Sequence, residues 1–270
     1  MYRLIISDLD GTLLRDDHTL SDYTKAVIHR VSEQGIDFML ATGRIFGGAI
    51  QYAKDLKLNT PILACNGALI KEAQGKLLYG KPLKEEALAE VFEVLEERNL
   101  YFHCYGEESF YTEKFSDHLV GFYAFNKELP EDEQFPMIEI KPEDLLGRDT
   151  IYKVLARCAG EETRKELYNR LSEIPEISIT TSWYDSFDIC AEQVSKATAI
   201  DRYAKAKGIE PSEIICFGDN YNDVDMLQYV GMGIAVENGV EKLKEIADYV
   251  TGNNNEDGVA KAIEKFVFGE

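Results

Sequence analysis

Two carboxylates separated by one residue stand at the end of an apolar run, where Asp8-Leu9-Asp10-Gly11-Thr12 follows Leu4-Ile5-Ile6 with only Ser7 between. A carboxylate pair at a buried strand end is costly unless something binds there. In open α/β sheets, ligands collect in the crevice beyond the carboxyl ends of the parallel strands. Two acids in one turn can also occupy different environments, one held ionised and one free to exchange protons, which is the division that acid–base chemistry requires. The chain has 49 Asp and Glu, so D-x-D alone is cheap, and Asp223-Val224-Asp225 repeats the spacing inside a helical pattern. The fuller D-x-D-G-T arises by chance in roughly one chain of this length in three hundred at average residue frequencies.

Three further segments carry residues of the same kind. Phe217-Gly218-Asp219-Asn220-Tyr221-Asn222-Asp223 again follows a β run and leads into a helix. Asp219 there repeats the placement of Asp8, and two such strand ends side by side would form a hard-oxygen site suited to Mg²⁺. In Ala41-Thr42-Gly43-Arg44 the glycine lets the backbone approach a ligand, while Thr42 offers a hydroxyl and an amide. Hydroxyls, backbone N–H groups and helix N-termini are what cradle a phosphate. Ser195 is a plausible N-cap, which puts Lys196 in a first helical turn, where the dipole disfavours a cation unless an anion lies between. Each segment alone has a plainer reading: a turn that starts a helix, a surface lysine, an Asn/Asp loop.

The elements that must position these residues alternate between β runs and helical patterns at both ends of the chain. Arg3 to Ser7, Asp37 to Ala41 and Ile62 to Cys65 read as strands, with helices near Asp22 to Gln34 and Phe46 to Leu56. A helix from Lys196 to Lys207, a strand from Glu213 to Phe217, a helix from Asn222 and a strand from Gly233 to Val236 repeat the alternation. That pattern implies a parallel sheet with helices on both faces. From about Pro82 to Asp188 the texture changes. There Glu85 to Arg98 is an amphipathic helix, and Tyr101 to Tyr105 and Ile177 to Thr181 alternate like antiparallel strands with one wet face. The expected organisation is a core of residues 1–81 and 189–270 with a second domain, 82–188, inserted into it.

Composition narrows the classes. A length of 270 residues and 45% apolar content suit two lobes or one large α/β domain. With no apolar run near 18 residues and no N-terminal h-region, a soluble, cytoplasmic protein is expected. Cys65, Cys104, Cys158, Cys190 and Cys216 read as reduced core thiols, and the four histidines stand at no zinc-ligand spacing. A net charge of −20 argues against nucleic acid and anionic membranes as partners. It also means that an anionic small substrate would need a local cation to hold it.

Taken in order, Asp8-Leu9-Asp10-Gly11-Thr12, Thr42, Lys196 and Gly218-Asp219-Asn220-Tyr221-Asn222-Asp223 resemble the haloacid dehalogenase (HAD) superfamily. Its pattern is D-x-D-x-T, then Thr or Ser, then Lys, then G-D-x-x-x-D. The long insert, with Asn66-Gly67, Met226 after Asn222-Asp223, and Glu256-Asp257-Gly258-Val259, is similar to the Cof-type HAD-IIB subfamily with its large α/β C2 cap. The resemblance implies an α/β fold, a three-layer Rossmann-like core with a parallel sheet plus an inserted α+β cap that chooses the substrate.

It also implies a Mg²⁺-dependent phosphatase of small phosphomonoesters, sugar phosphates foremost. Asp8 would be the nucleophile that becomes an aspartyl phosphate, and Asp10 the acid and base. Mg²⁺ would be held by Asp8, the Asp10 backbone carbonyl and Asp219, with Asp223 orienting that shell. Lys196, Thr42, Asn222 and the backbone groups of Leu9 and Gly43 would hold the phosphoryl oxygens. Arg44, Asn66 and cap residues such as Tyr184 are candidates to touch the substrate. Two other readings stay open: a phosphomutase using the same aspartyl phosphate, and a non-catalytic phosphate-ligand binding protein. The expected partner is a small phosphorylated molecule, with neither nucleic acid nor membrane, in a monomer or weak dimer.

Overall fold

The computed structural model describes residues 1–131, 133–182 and 185–270. At the centre of the core lie five strands in the order Tyr249–Thr251, Met232–Val236, Ile214–Gly218, Leu4–Ser7 and Asp37–Leu40. All neighbours are parallel. These strands read as continuous apolar runs because both faces are covered. Ile5, Phe38, Ile215, Phe217 and Ile234 pack to one side, while Leu4, Ile6, Met39, Ile214 and Cys216 pack to the other.

This order sets Leu4–Ser7 beside Ile214–Gly218 with Ser7 opposite Phe217. Asp8 and Asp219 therefore follow adjacent strand ends on one edge of the sheet. The Asp8 N–H still donates to the Phe217 carbonyl at 3.0 Å.

The helix Lys196–Lys207 starts as expected, with Ser195 in a reciprocal capping box with Thr198, and it ends at Gly208 in the left-handed region. The expected helix from Phe46 to Leu56 is broken into a 3₁₀ turn, Phe46–Gly48, and a short helix, Ile50–Asp55. Gly47-Gly48 is a poor helical pair, which accounts for the break. Likewise the helix expected from Asn222 opens with a 3₁₀ turn, Tyr221–Asp223, capped by Asn220, before Val224–Tyr229. A meander of Ile62–Ala64, Leu69–Lys71 and Leu77–Gly80 extends the core beyond Asp37–Leu40 through a bridge from Ala41 to Leu63.

The insert forms a six-stranded sheet, ordered Ile177–Thr180, Ser186–Ala191, Lys153–Arg157, Phe102–Tyr105, Phe110–Thr112 and Met137–Glu139. Pairing is antiparallel except between the last two strands, which are parallel. One face packs under the helices Glu85–Glu96 and Glu161–Ser172 through Val91, Phe92, Phe102, Val154, Ala156, Leu167 and Phe187. The other face was expected to be wet, yet Phe102–Tyr105 is buried along its whole length. The core covers it, and Tyr105, Phe110, Phe135 and Tyr152 join a cluster that begins in the core sheet.

The boundary expected at 188 falls inside a strand, since Ser186–Ala191 is buried throughout and Ala191 still pairs with Ile177. Asp188 resembles a polar strand end in the sequence, but its carboxylate is buried against Lys153 at 3.0 Å. All five cysteines are buried and unbridged. Among the described residues no helix is long and apolar enough to cross a membrane.

Candidate active site

The turn after the first strand, Leu9–Leu13, is not regularly helical: Asp10 is extended and Gly11 has φ 75°. A Cβ on Gly11 would lie 2.7 Å from Asp219 Oδ2, so this position requires glycine for both its backbone and its neighbour. Thr12 Oγ1 donates to Asp219 Oδ1 at 2.7 Å and ties the two strand ends together.

Lys196 lies fully buried behind the pair. Its Nζ donates to Asp8 Oδ1 at 2.5 Å and to Asp223 Oδ1 at 2.6 Å. The other Asp223 oxygen accepts the backbone N–H groups of Asp219 and Asn220, both at 3.0 Å. Asp8, Asp219 and Asp223 each offer a carboxylate oxygen within 4.8 Å of the others. Burial pushes Asp8 up to about 7 against the attraction of Lys196, with Asp223 and Asp10 adding to the rise. Burial, with Asp8 and Asp223 adding to it, pushes Asp219 well above its ordinary range. Burial alone would lower Lys196, but Asp223 and Asp8 outweigh it and raise the ammonium. Three carboxylates around one ammonium are deficient in positive charge, and their all-oxygen donor set fits a hard divalent cation.

Asp10 has a different environment. Arg44 grips its carboxylate at both oxygens, Nε to Oδ2 at 2.7 Å and Nη2 to Oδ1 at 2.5 Å, and Nη1 donates to the Gly48 carbonyl at 3.0 Å. The guanidinium carbon lies 5.3 Å from the ring centres of both Tyr52 and the cap's Phe125. Burial would raise the Asp10 carboxyl, but Arg44 overrides it and holds the group well below the usual carboxylate range. Arg44, a candidate substrate contact in the sequence, is thus committed to Asp10. Thr42 Oγ1 accepts the Arg44 N–H at 3.1 Å and so shapes the turn that carries Gly43.

A cavity of about 480 Å³ opens over these groups. Asp8, Asp10, Gly11, Thr42, Gly43, Arg44, Asp219 and Asn222 contribute from the core. Lys196 and Asp223 stand behind that floor, and Leu9 is buried in its turn.

Asn66 is not on the cavity wall: it is buried, accepting from Asn222 Nδ2 at 3.0 Å and donating to Asp188 Oδ2 at 2.8 Å. The roof is the cap sheet. Lys153, Leu155 and Arg157 face the cavity from alternate positions of one strand, joined by Tyr105 and Ser182, while Val154 and Ala156 point into the cap interior. Lys153 Nζ donates to the Gly43 carbonyl at 2.8 Å, and Arg157 pairs with Asp185 at 2.9 Å. These roof residues escaped the sequence reading, although the cation-apolar alternation Lys153-Val154-Leu155-Ala156-Arg157 is visible there. Tyr184 lies outside the described residues.

Comparison with known proteins bears on the family and the fold. A sequence profile described as haloacid dehalogenase-like hydrolase matches residues 5–263. A provisionally named phosphatase of Haemophilus influenzae is 31% identical over 265 residues, covering 98% of each chain. A 5-amino-6-(5-phospho-D-ribitylamino)uracil phosphatase of Bacillus subtilis is 29% identical over 274 residues, covering 97% of each. Among solved structures, a haloacid dehalogenase-like hydrolase from B. subtilis superposes with a TM-score of 0.87 at 26% identity, covering 98% of this chain and 99% of its own.

Proposed function

The chain belongs to the haloacid dehalogenase-like hydrolases, and from that premise we propose that it hydrolyses small phosphomonoesters, sugar phosphates foremost, through an aspartyl phosphate on Asp8. The observation that carries this reading is the Asp8–Lys196–Asp223 arrangement beneath the cavity. Lys196 engages Asp8 Oδ1, which leaves Oδ2 as the oxygen to attack phosphorus. As that bond forms, the ester P–O bond breaks and the leaving oxygen takes a proton from Asp10. Water then attacks the phosphoryl group, Asp10 takes up its proton, and Asp8 is freed with its own oxygens intact.

Arg44 keeps Asp10 ionised while it holds both carboxylate oxygens. That state suits the second step, in which Asp10 accepts a proton. For the first step the contact must loosen as the substrate enters.

Thr42, the backbone groups of Leu9 and Gly43, and Asn222 hold the equatorial oxygens, and Lys196 neutralises part of their charge. Asp8, the Asp10 carbonyl and Asp219 would hold Mg²⁺, which supplies the further positive charge that lets an anionic phosphoryl group approach a carboxylate. Asp223 holds Lys196 and the Asp219–Asn220 backbone in place. The cap shields the site from water and selects the leaving group.

Phosphate release from p-nitrophenyl phosphate and a panel of sugar phosphates, measured with Mg²⁺ and with chelator, tests the proposal. Metal-dependent release that vanishes in Asp8→Asn supports it. Release by Asp8→Asn at the parent rate would overturn it.

A further inference from the structure

From the phosphate-holding groups Asn222 and Gly43 a chain of polar groups runs through Asn66 to the roof, and its members Asn66, Lys153 and Asp188 have no part in the proposed chemistry. Asn222 Nδ2 donates to Asn66 Oδ1 at 3.0 Å, and Asn66 Nδ2 donates to Asp188 Oδ2 at 2.8 Å. Lys153 Nζ meets the same Asp188 oxygen at 3.0 Å while donating to the Gly43 carbonyl at 2.8 Å. Asn222, Asn66 and Gly43 belong to the core, whereas Asp188 and Lys153 sit on two paired strands of the cap. Asn66, Lys153 and Asp188 are 2%, 1% and 0% exposed, so the links among these three are shielded from bulk water. Such a chain is stable only when its members satisfy one another.

Each link admits one orientation. A carboxylate without a proton only accepts hydrogen bonds, so Asp188 turns the NH₂ of Asn66 toward itself. The atom then left for Asn222 is Asn66 Oδ1, and Asn222 must answer with its own NH₂. One N–H of that group is spent on Asn66. The other is left to meet an oxygen in the cavity that Asn222 lines. Without Asp188 the Asn66 amide could flip, and Asn222 would then be free to present its carbonyl to the cavity, which repels a phosphoryl oxygen. Lys153 balances the charge of Asp188, and its bond to Gly43 pins the turn that carries Thr42 and Gly43.

We propose that Lys153 and Asp188 are cap-borne positioning residues: through Asn66 and Gly43 they orient the Asn222 amide and the Thr42–Gly43 turn toward the phosphoryl oxygens. The phosphate site is therefore complete only with the cap in place. This rests on the reading of Asn222 and Gly43 as phosphate-holding groups. It assigns the cap a part in binding the phosphoryl group itself, in addition to selecting what is attached to it.

The test is competitive inhibition by orthophosphate, measured on the whole protein with Mg²⁺. Three variants are compared: Asn66→Ala, the double variant Lys153→Met/Asp188→Leu, and all three substitutions together. The double variant removes a cation and an anion at once, so the cavity keeps its net charge and no buried charge is left alone. Asn66→Ala and the double variant are each expected to raise the inhibition constant roughly tenfold. The triple variant is expected to raise it no further, because all three substitutions break one chain. If the double variant does not fold, the cycle is closed with Asn66→Ala and the isosteric Asp188→Asn, whose joint effect should not exceed the larger single one.

An inhibition constant unchanged in the double variant, or in Asp188→Asn where that replaces it, overturns the proposal, as do effects that multiply in the combined variant. Either result leaves the phosphatase reading intact so long as Asp8→Asn is inactive. A parent protein that releases no phosphate from any ester would instead overturn that reading.

Discussion

The floor of the cavity takes its side chains from strand ends, with Asp8, Thr42 and Asp219 each standing just past a parallel strand. The roof takes Lys153, Leu155 and Arg157 from alternate positions within one antiparallel strand. At a strand end the backbone stops pairing with its neighbours, so its peptide groups can bind a ligand together with the side chains. Within the roof strand the backbone is engaged on both sides, and only side chains reach the cavity. The floor is thus fixed by turn geometry, as at Gly11, whereas the roof can exchange side chains without disturbing its sheet. Both sides pair their charges, Lys196 and Arg44 with the floor carboxylates and Lys153 and Arg157 with Asp188 and Asp185.

The largest expected effect is on the floor. Asp8→Asn should lower phosphate release from every substrate by at least about 10⁴-fold. A loss confined to some substrates would show that Asp8 belongs to selection and not to the reaction. Lys196→Met comes next, because it leaves Asp8 and Asp223 as buried carboxylates without their cation. It should cost about 3–5 kcal/mol in urea unfolding and lower turnover by roughly 10²–10³-fold. An unchanged unfolding midpoint would mean that the buried ion pairs are not what holds the floor together.

On the roof, Arg157→Ala should change the ranking of substrates. We expect a shift of about tenfold in kcat/KM for at least one sugar phosphate, and less than about threefold for p-nitrophenyl phosphate. A uniform loss across the panel would erase the distinction between floor and roof.

The last expected effect is a pH dependence of stability that Asp8 contributes on the floor. Burial raises the Asp8 carboxyl from 3.8 to about 7 despite Lys196. The folded protein then keeps a proton there that the unfolded chain has released, so this group's contribution to stability falls as pH rises from about 4 to about 7. In chelator, the thermal midpoint of Asp8→Asn should fall less than that of the parent over this window. Parallel curves would show that Asp8 is ionised throughout.

The same contrast explains how much could be read from the sequence. Asp8, Asp219 and Thr42 interrupt apolar runs where strands end, and Lys196 follows a capping serine, so each stands out against its own neighbours. Lys153 and Asp188 alternate with apolar residues and look like the wet face of an ordinary strand. Nothing local tells that the core covers that face, and so the insert seemed to end at Asp188 while its strand runs on to Ala191. The Asp10–Arg44 grip joins residues 34 positions apart, a tertiary pairing that neither segment announces by itself. Likewise Asn66 is recognisable by its position in a motif, but its bond to Asp188 crosses 122 positions and is invisible until both domains are placed.

The central claim is that Asp8 carries the phosphoryl group between the two displacements. A single-turnover reaction quenched in acid, followed by digestion and mass analysis, addresses it directly, with Asp10→Asn included to slow the second step. The expected result is a phosphoryl group on the peptide containing Asp8, removable by hydroxylamine. Phosphate released during the turnover with no phosphorylated peptide in either protein, or with the group on a different residue, would contradict it.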